Sequence, residues 1–351
     1  MTTKIRRSLV CLRHCSSSAK RLILISLAGV VILYLLANDQ ASKTVHTVAS
    51  YSDYLRLHSH NRYTEEISDG IINPHNYSFV IPEANICKNE DVFLIVLIHS
   101  SPSHSNLRNI QRETSLSDAN ILGKRIIVVY LIGNATKMYL NNHILAESQK
   151  YRDIIVEDFK DSYYNLTQKF MMGMRWVSEF CPNARFVLKG DDDVYFNLHN
   201  IVKMLISAPS ENFMSGYVYK YSRPYRDRHS KWFISEKIYP YKYYPPFCRG
   251  YAYVMSGDLP PRLFQVAQHI PDFPLDDVFT GFCARKLNIS PVSKVGFRGP
   301  GSDILSFCSM NLSHAVHVGD GQMISKLWQE QQENPHQISC SSIAYYIRSL
   351  F

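Results

Sequence analysis

The chain is poor in charge and free of simple repeats. Lysine, arginine, aspartate and glutamate make up 19% of its 351 residues, against 46% hydrophobic, a balance that excludes a mostly disordered protein. It has no low-complexity tract and no motif of fixed period, which excludes a solenoid or a fibre. None of the six cysteines beyond residue 40 has C-x-x-C spacing, which argues against a zinc site. Acid is missing altogether from the first 21 residues, which hold Lys4, Arg6, Arg7, Arg13, Lys20 and Arg21. That segment carries six of the eight net positive charges and leaves a net +2 for the other 330 residues. A body so close to neutral offers no basic groove, so nucleic acid is not expected as a partner.

Charge is also missing from Leu22–Ala37, LILISLAGVVILYLLA. Sixteen residues span about 24 Å as a helix, short for a bilayer core but within reach of a thin early secretory membrane. The basic run before it and Asp39 after it place residues 1–21 in the cytosol, 22–37 as a retained signal-anchor, and the remainder in the lumen as a single-pass type II protein. A cleaved signal peptide is the alternative, and it delivers the body to the same pathway. Five N-x-S/T sequons (Asn76, Asn134, Asn165, Asn288 and Asn311) and six cysteines (Cys87, Cys181, Cys248, Cys283, Cys308 and Cys340) all lie beyond the apolar run. Up to three disulfides are expected there, with the pairing left open. Pro291 weakens the sequon at Asn288.

Residues 38–70 are polar without a period and read as a stem, and 71–351 as the folded domain. Within it, 91–100 (DVFLIVLIHS), 124–132 (KRIIVVYLI) and 184–189 (ARFVLK) are continuous apolar runs of the kind that form buried parallel strands. A shorter strand is expected at 153–157, and helices at 105–116, 142–151, 165–180 and 278–287. Strand–helix alternation predicts an α/β domain whose mostly parallel sheet is covered on both faces. Ligands of such sheets bind at the carboxyl ends of the strands. The residues just after 184–189 are Gly190, Asp191, Asp192 and Asp193.

Three aspartates in a row after a buried strand repel one another unless a cation sits among them. A solvated loop is the plain reading. A divalent ion sharing few carboxylates with a bound diphosphate is the functional one. Asp276 and Asp277 open the helix at 278; they either cap it or supply a general base to a hydroxyl nucleophile.

Taken with INPHNYSF (72–79), RNIQRET (108–114), the block at 147–176, KGDDDVYFN (189–197), SKW (230–232), YPPFCRGYAYVMS (244–256), DDVFTGFCARKLNI (276–289) and AVHV (315–318), the chain resembles the β-1,3-galactosyltransferases of glycosyltransferase family 31. The resemblance implies a GT-A-type Rossmann-like domain, a Golgi location, Mn²⁺, and a UDP-sugar donor, with UDP-galactose favoured. It implies a glycan acceptor on a glycoprotein or glycolipid and is compatible with a homodimer. It assigns Asp193 and His317 to the metal, and Asp191, Asp192, Arg108 and Arg112 to the nucleotide side, although the two arginines also fit a brace on one helix face. It makes Asp277 the base. Trp232, Tyr244 and Tyr253 become an acceptor platform, with core packing as the alternative for these aromatics. Three positions depart from the family pattern: Ser115 for Trp, Ala252 for Gly and Asp276 for Glu. None removes a group the chemistry needs. A transferase of the same fold using UDP-GlcNAc or UDP-GalNAc, or a non-catalytic lumenal lectin or chaperone, remain the competing readings.

Overall fold

A computed structural model describes residues 70–299 and 313–333. The signal-anchor, most of the stem, Cys308, Cys340 and Asn311 lie outside the described residues. Among those described, no helix is long and apolar enough to cross a membrane.

The 91–100 and 124–132 runs are mostly aliphatic and aromatic, and they form the middle of the sheet. Strand β2 (Val92–His99) is buried at all eight positions. It pairs in parallel with β4 (Lys124–Asn134) on one side and β6 (Phe186–Asp191) on the other. Beyond β4 lies β5 (Ile154–Lys160), parallel, and then β1 (Phe79–Ile81), antiparallel. The short β3 (Asn120–Ile121) folds back on β4. On the far side of β6 come β9 (Phe247–Ser256), antiparallel to it, β8 (Met214–Tyr219), and β10 (Val292–Ser293).

Successive side chains of β2 point to opposite faces. Ile95 and Leu97 join a core built with α3 (Leu166–Phe180), α5 (Leu259–Ala267) and α6 (Asp276–Lys286). Leu94, Val96 and Ile98 join the other core, with Ile144 of α2 (Met138–Tyr151) and the apolar stripe Leu198, Ile201, Val202 and Leu205 of α4 (Leu198–Ile206). This is the two-sided covering expected of the sequence. Helix α3 ends at Cys181, ahead of Pro182, and Cys181 is joined to Cys87 by a disulfide across 94 residues. In the chain-entropy view a loop that long is worth about 4–5 kcal/mol. Cys248 and Cys283 are buried thiols.

A second, small sheet gives the site its shape. Strand β7 (Val194–Phe196) comes directly after the aspartates and pairs antiparallel with β12 (Ala315–His317), which pairs in parallel with β11 (Phe297–Arg298). Helix α1 (Ser105–Glu113) and α7 (Gly321–Glu333) pack behind it, Ile110 of α1 meeting Ile324 and Leu327 of α7.

The expected helices and strands are present with boundaries moved by a few residues: β5 runs to Lys160, α2 begins at Met138, and α6 begins at Asp276. Strands β1, β3 and β7–β12 and helices α4, α5 and α7 were not anticipated from the sequence.

Candidate active site

The carboxyl ends of β2, β4, β5 and β6 open on a cavity of about 680 Å³. Its wall includes His99–His104 after β2, Ala135–Lys137 after β4, Asp161–Tyr163 after β5, and Asp191–Asp193 after β6. Chain reversal at the ends of parallel strands brings these four loops together.

The aspartate loop is held from several directions. Gly190 allows the approach: a Cβ there would collide with the Phe196 ring. The Gln111 side-chain amide donates to the carbonyls of Asp191 and Val194. The Asp193 carbonyl accepts from the backbone N–H groups of Val318 and Gly319, which places His317 beside it. The His317 Nε2 lies 3.2 Å from Asp193 Oδ2.

The three aspartates have three different settings. The Asp192 side chain is 8% exposed. Its Oδ2 accepts from the Ser100 hydroxyl at 2.6 Å and lies 2.9 Å from His104 Nδ1, so it lines the cavity mainly as a bracket for the 100–104 loop. The bond to Asp192 pushes His104 above the ordinary histidine range, against the effect of its burial. Asp191 is 35% exposed and paired with Lys189 Nζ at 2.8 Å; burial pushes its carboxyl up to about 6 despite that lysine. Burial also acts upward on Asp193, but the His317 bond and charge outweigh it and hold the carboxyl low. His317 is raised in return. Asp193 Oδ1 and His317 Nδ1 are buried without partners.

Lys189 is the buried pivot of the site. Its ammonium reaches Asp191, the Gly250 carbonyl at 2.5 Å and Asp276 Oδ2 at 3.3 Å. Burial alone would lower it, but the two carboxylates keep it charged and above the ordinary lysine range. His99, in register with Asp191, is kept neutral by burial and by Lys189 and Lys169.

Asp277 lies in the first turn of α6. Its Oδ1 accepts from the Val278 N–H at 2.8 Å and its Oδ2 from the Gly250 N–H at 3.2 Å. Gly250 leaves room for this, since a Cβ there would meet the Asp277 Cβ at 3.3 Å. The N-cap of α6 is Leu275, without a side-chain cap bond, so Asp277 is not the cap; it takes up one first-turn N–H, and its side chain stays partly exposed. Its burial and the neighbouring charge of Asp276 push it well above the usual carboxylate range, although the two N–H bonds and Lys189 oppose them.

Several expectations are corrected. Arg108 is fully buried, and neither it nor Arg112 lines the cavity. Arg108 makes a two-pronged bond to Glu147 at 2.8 and 2.6 Å and also donates to the Ser100 hydroxyl and the Ser101 carbonyl. Arg112 joins Glu147 to Asp153. The pair braces the loop that carries Ser100 and Ser101, and its donors are engaged within the protein rather than free for a nucleotide. Removing one partner of a buried ion pair costs about 3–5 kcal/mol. Arg108→Met should lower unfolding stability by that order in urea denaturation, and Arg108→Lys, which lacks the fork, should recover only part of it.

Tyr244 and Tyr253 are 2% and 0% exposed. Tyr253 sits in the middle of β9 with its hydroxyl near Thr280, and Tyr244 packs among Tyr239, Phe247 and Phe273. Core packing claims both, and neither forms an acceptor platform. Trp232 is 42% exposed and lies against Tyr225, ring centroids 5.4 Å apart. Of the departures, Ala252 faces Gly190 across the strand pair, and Asp276 contacts Lys189. Nothing in the structure explains Ser115, a buried serine whose hydroxyl has no partner. Asn76, Asn134 and Asn288 are exposed and Asn165 is half-buried.

The reading from sequence missed Lys189, His99 and the Ser100–Ser101 turn, as well as Lys169, whose ammonium bonds the Ser100 carbonyl and pairs with Asp161. The signal that pointed to Asp191 was available for His99 too, since it ends a parallel strand; Asp161 follows β5, which runs three residues past the expected end at 157.

Among the described residues, no three histidine, cysteine or acidic side chains converge as a closed metal cage. A hard divalent ion needs no such cage when diphosphate oxygens complete its shell. The unpartnered Asp193 Oδ1 beside an imidazole fits an ion of that kind.

A strand-end cavity bounded by an aspartate loop in a mixed α/β domain agrees with a glycosyltransferase fold, and comparisons with known proteins give the class. Residues 106–295 match the family model described as Galactosyltransferase. Over 268 residues the chain is 36% identical to the human and mouse proteins named beta-1,3-galactosyltransferase 1, covering 76% of this chain and 82% of theirs. It is 34% identical over 286 residues to human beta-1,3-galactosyltransferase 2, covering 80% of this chain and 68% of the relative. Among solved structures, the apo form of the bifunctional glycosyltransferase WbbM superposes at a TM-score of 0.37 and 10% identity, over 73% of this chain and 48% of its own. The chain belongs to the β-1,3-galactosyltransferase family, glycosyltransferase family 31, and is a hexosyltransferase.

Proposed function

We propose that the protein transfers galactose from UDP-galactose to the 3-hydroxyl of a glycan carried by a glycoprotein or glycolipid, with inversion to a β-1,3 linkage. The observation that carries the reading is the chain of contacts that ties a second carboxylate to the aspartate loop lining the cavity: Asp193 lines it with Oδ1 unpartnered, and partly exposed Asp277 bonds Gly250, whose carbonyl holds the Lys189 that pairs with Asp191. Asp193 and His317 would hold Mn²⁺. When bound, that ion supplies Lewis-acid stabilisation of the charge on a departing diphosphate. Asp277, fixed by the Val278 and Gly250 N–H groups, takes the proton from the acceptor hydroxyl as it attacks the face opposite the leaving group. One displacement then inverts the anomeric centre. Lys189 holds Asp191 and Asp276 at fixed positions around that base.

The proposal includes location: a single-pass type II Golgi membrane protein with its catalytic domain in the lumen. The Cys87–Cys181 disulfide and the exposed sequons at Asn76 and Asn134 support an oxidising, glycosylating compartment.

The test is transfer by the full-length protein in detergent, offered UDP-galactose, UDP-GlcNAc and UDP-GalNAc with Mn²⁺ and a panel of terminal GlcNAc, GalNAc and galactose acceptors. The expected result is EDTA-sensitive transfer from UDP-galactose with a β-1,3 linkage in the product. Transfer from a different donor would replace the sugar; absence of both transfer and UDP binding would remove the catalytic reading.

A further inference from the structure

The near-neutral body hides a local excess. Residues 217–249, from the end of β8 into β9, hold eight lysines and arginines against two acids, Asp227 and Glu236, a net charge of +6. Since residues 1–21 carry another +6 of the total +8, the rest of the chain is acidic by four charges. Among the described residues, none of these eight cations is in an ion pair with a carboxylate. Several lie on aromatic rings instead. Lys231 Nζ is 4.9 Å from the centre of Trp232 and 5.5 Å from that of Tyr163. The Arg223 guanidinium is 5.1 Å from the Tyr243 ring and bonds its hydroxyl. Arg249 lies 5.1 Å from Tyr219 and 5.5 Å from Tyr251.

This strip borders the active site at both ends. Tyr163 lines the cavity with Asp191–Asp193. Arg249 directly precedes Gly250, whose N–H holds Asp277, and the Tyr251 ring is 5.9 Å from His317. An acceptor hydroxyl at Asp277 would sit beside Gly250 and the Arg249 end of this strip. Exposed aromatics such as Tyr225 (54%) and Trp232 (42%) offer ring faces to the C–H faces of sugars. The cations between them have no carboxylate counter-charge within the described residues.

We infer that the acceptor is an acidic glycan, carrying a carboxylate or sulfate close to the sugar that is extended, with Lys231 and Arg223 as the residues that receive its charge. The inference rests on the transferase reading above. Cations without a carboxylate partner would repel nothing in a neutral acceptor and gain nothing from it. A charge-assisted bond to each of them favours an anionic one.

The experiment compares matched acceptor pairs, identical but for one sulfate or uronate carboxylate, with the full-length protein, Mn²⁺ and UDP-galactose. Calorimetric binding of the same pairs is a readout free of turnover. We expect kcat/KM for the acidic member to exceed that for the neutral one by about tenfold at low salt, and the ratio to shrink as salt rises towards about 200 mM, as screening of exposed charges requires. Lys231→Glu and Arg223→Glu should each bring the ratio towards one, whereas Lys203→Glu, an equal charge change on an exposed residue of α4 outside the strip and the cavity lining, should leave it intact. Efficient transfer with a ratio near one would overturn the inference and leave the transferase standing. Loss of activity in the two variants only for acceptors displayed on anionic-lipid vesicles, with a ratio near one in solution, would reassign the strip to a membrane surface. Absence of transfer to either member from any UDP-sugar, together with absence of Mn²⁺-dependent UDP binding, would overturn the transferase reading and this inference with it.

Discussion

Asp277→Asn should lower kcat by on the order of 10²-fold or more while UDP affinity stays close to that of the unchanged protein. A positioned base contributes about 10²–10⁴-fold to a proton transfer, and the lower figure already corresponds to about 2.7 kcal/mol of barrier. The substitution keeps the shape of the side chain but removes its basicity. One of the two N–H bonds, from Val278 or Gly250, must then face an amide NH₂, so a stability loss of about 1 kcal/mol is expected alongside. That loss is too small to account for the rate, and a thermal melt separates the two effects.

The pH profile gives an independent reading. Burial and the charge of Asp276 hold the Asp277 carboxyl well above the ordinary range, and in the proposed role it acts in its deprotonated form. The rate should therefore fall on the acid side at a pH well above the value of about 4 for a free carboxylate, and that limb should vanish in Asp277→Asn. Asp276→Asn removes a repelling charge and frees Lys189, which it contacts at 3.3 Å. Both changes favour the ionised Asp277, so the acid limb should move to lower pH. Near-normal turnover in Asp277→Asn, or a limb unmoved in Asp276→Asn, would take Asp277 out of the role.

The parts of this site that were legible in the sequence share one physical cause. Strands β2, β4 and β6 lie in the middle of a sheet covered on both faces, so their residues are apolar without alternation, and such runs stand out. The residues after each run fall at the ligand-binding edge by topology alone, which made Asp191–Asp193 conspicuous before any likeness was considered. Strands β8 and β9 were not visible for the opposite reason. Their flanks are dense in tyrosine, lysine and arginine, and that composition looks like a polar loop. The same blindness left Tyr244 and Tyr253 open between an acceptor platform and the core. A tyrosine can cover a surface or fill a core with its hydroxyl on a neighbour, and only the position of β9 between β6 and β8 decides for the core at Tyr253. Arg108 and Arg112 were legible as a pair on one helix face. Their partners Glu147 and Asp153 are some forty residues away in sequence, and no local spacing reveals them. His317 was reached only through the family resemblance. Its pairing with Asp193 depends on the register of β7 with β12, which sets His317 opposite Val194 across more than a hundred residues.

That register makes the second large effect testable without disturbing the fold. Asp193→Ala should abolish Mn²⁺-dependent UDP binding, a loss of at least about 100-fold in affinity of the size expected when a charged ligand to a metal is deleted. The backbone at residue 193 is tied to β12 through its carbonyl, which accepts from Val318 and Gly319, and neither bond involves the side chain being removed. The deletion leaves His317 without the carboxylate 3.2 Å away, but both groups are partly exposed, so little stability is at stake. Calorimetric titration of UDP with and without Mn²⁺ reads the effect directly. EDTA should weaken UDP binding to the unchanged protein and have no further effect on Asp193→Ala, because the two treatments remove the same interaction and therefore cannot add. His317→Ala should give a smaller loss of the same kind, since one neutral nitrogen donor contributes less than a carboxylate beside a doubly charged ion. UDP binding by Asp193→Ala that still responds to Mn²⁺ as the unchanged protein does would place the ion elsewhere. The unpartnered Oδ1 of Asp193 would then be a desolvated carboxylate oxygen with no compensating role, and the cost of burying it would have to be met by the His317 bond alone.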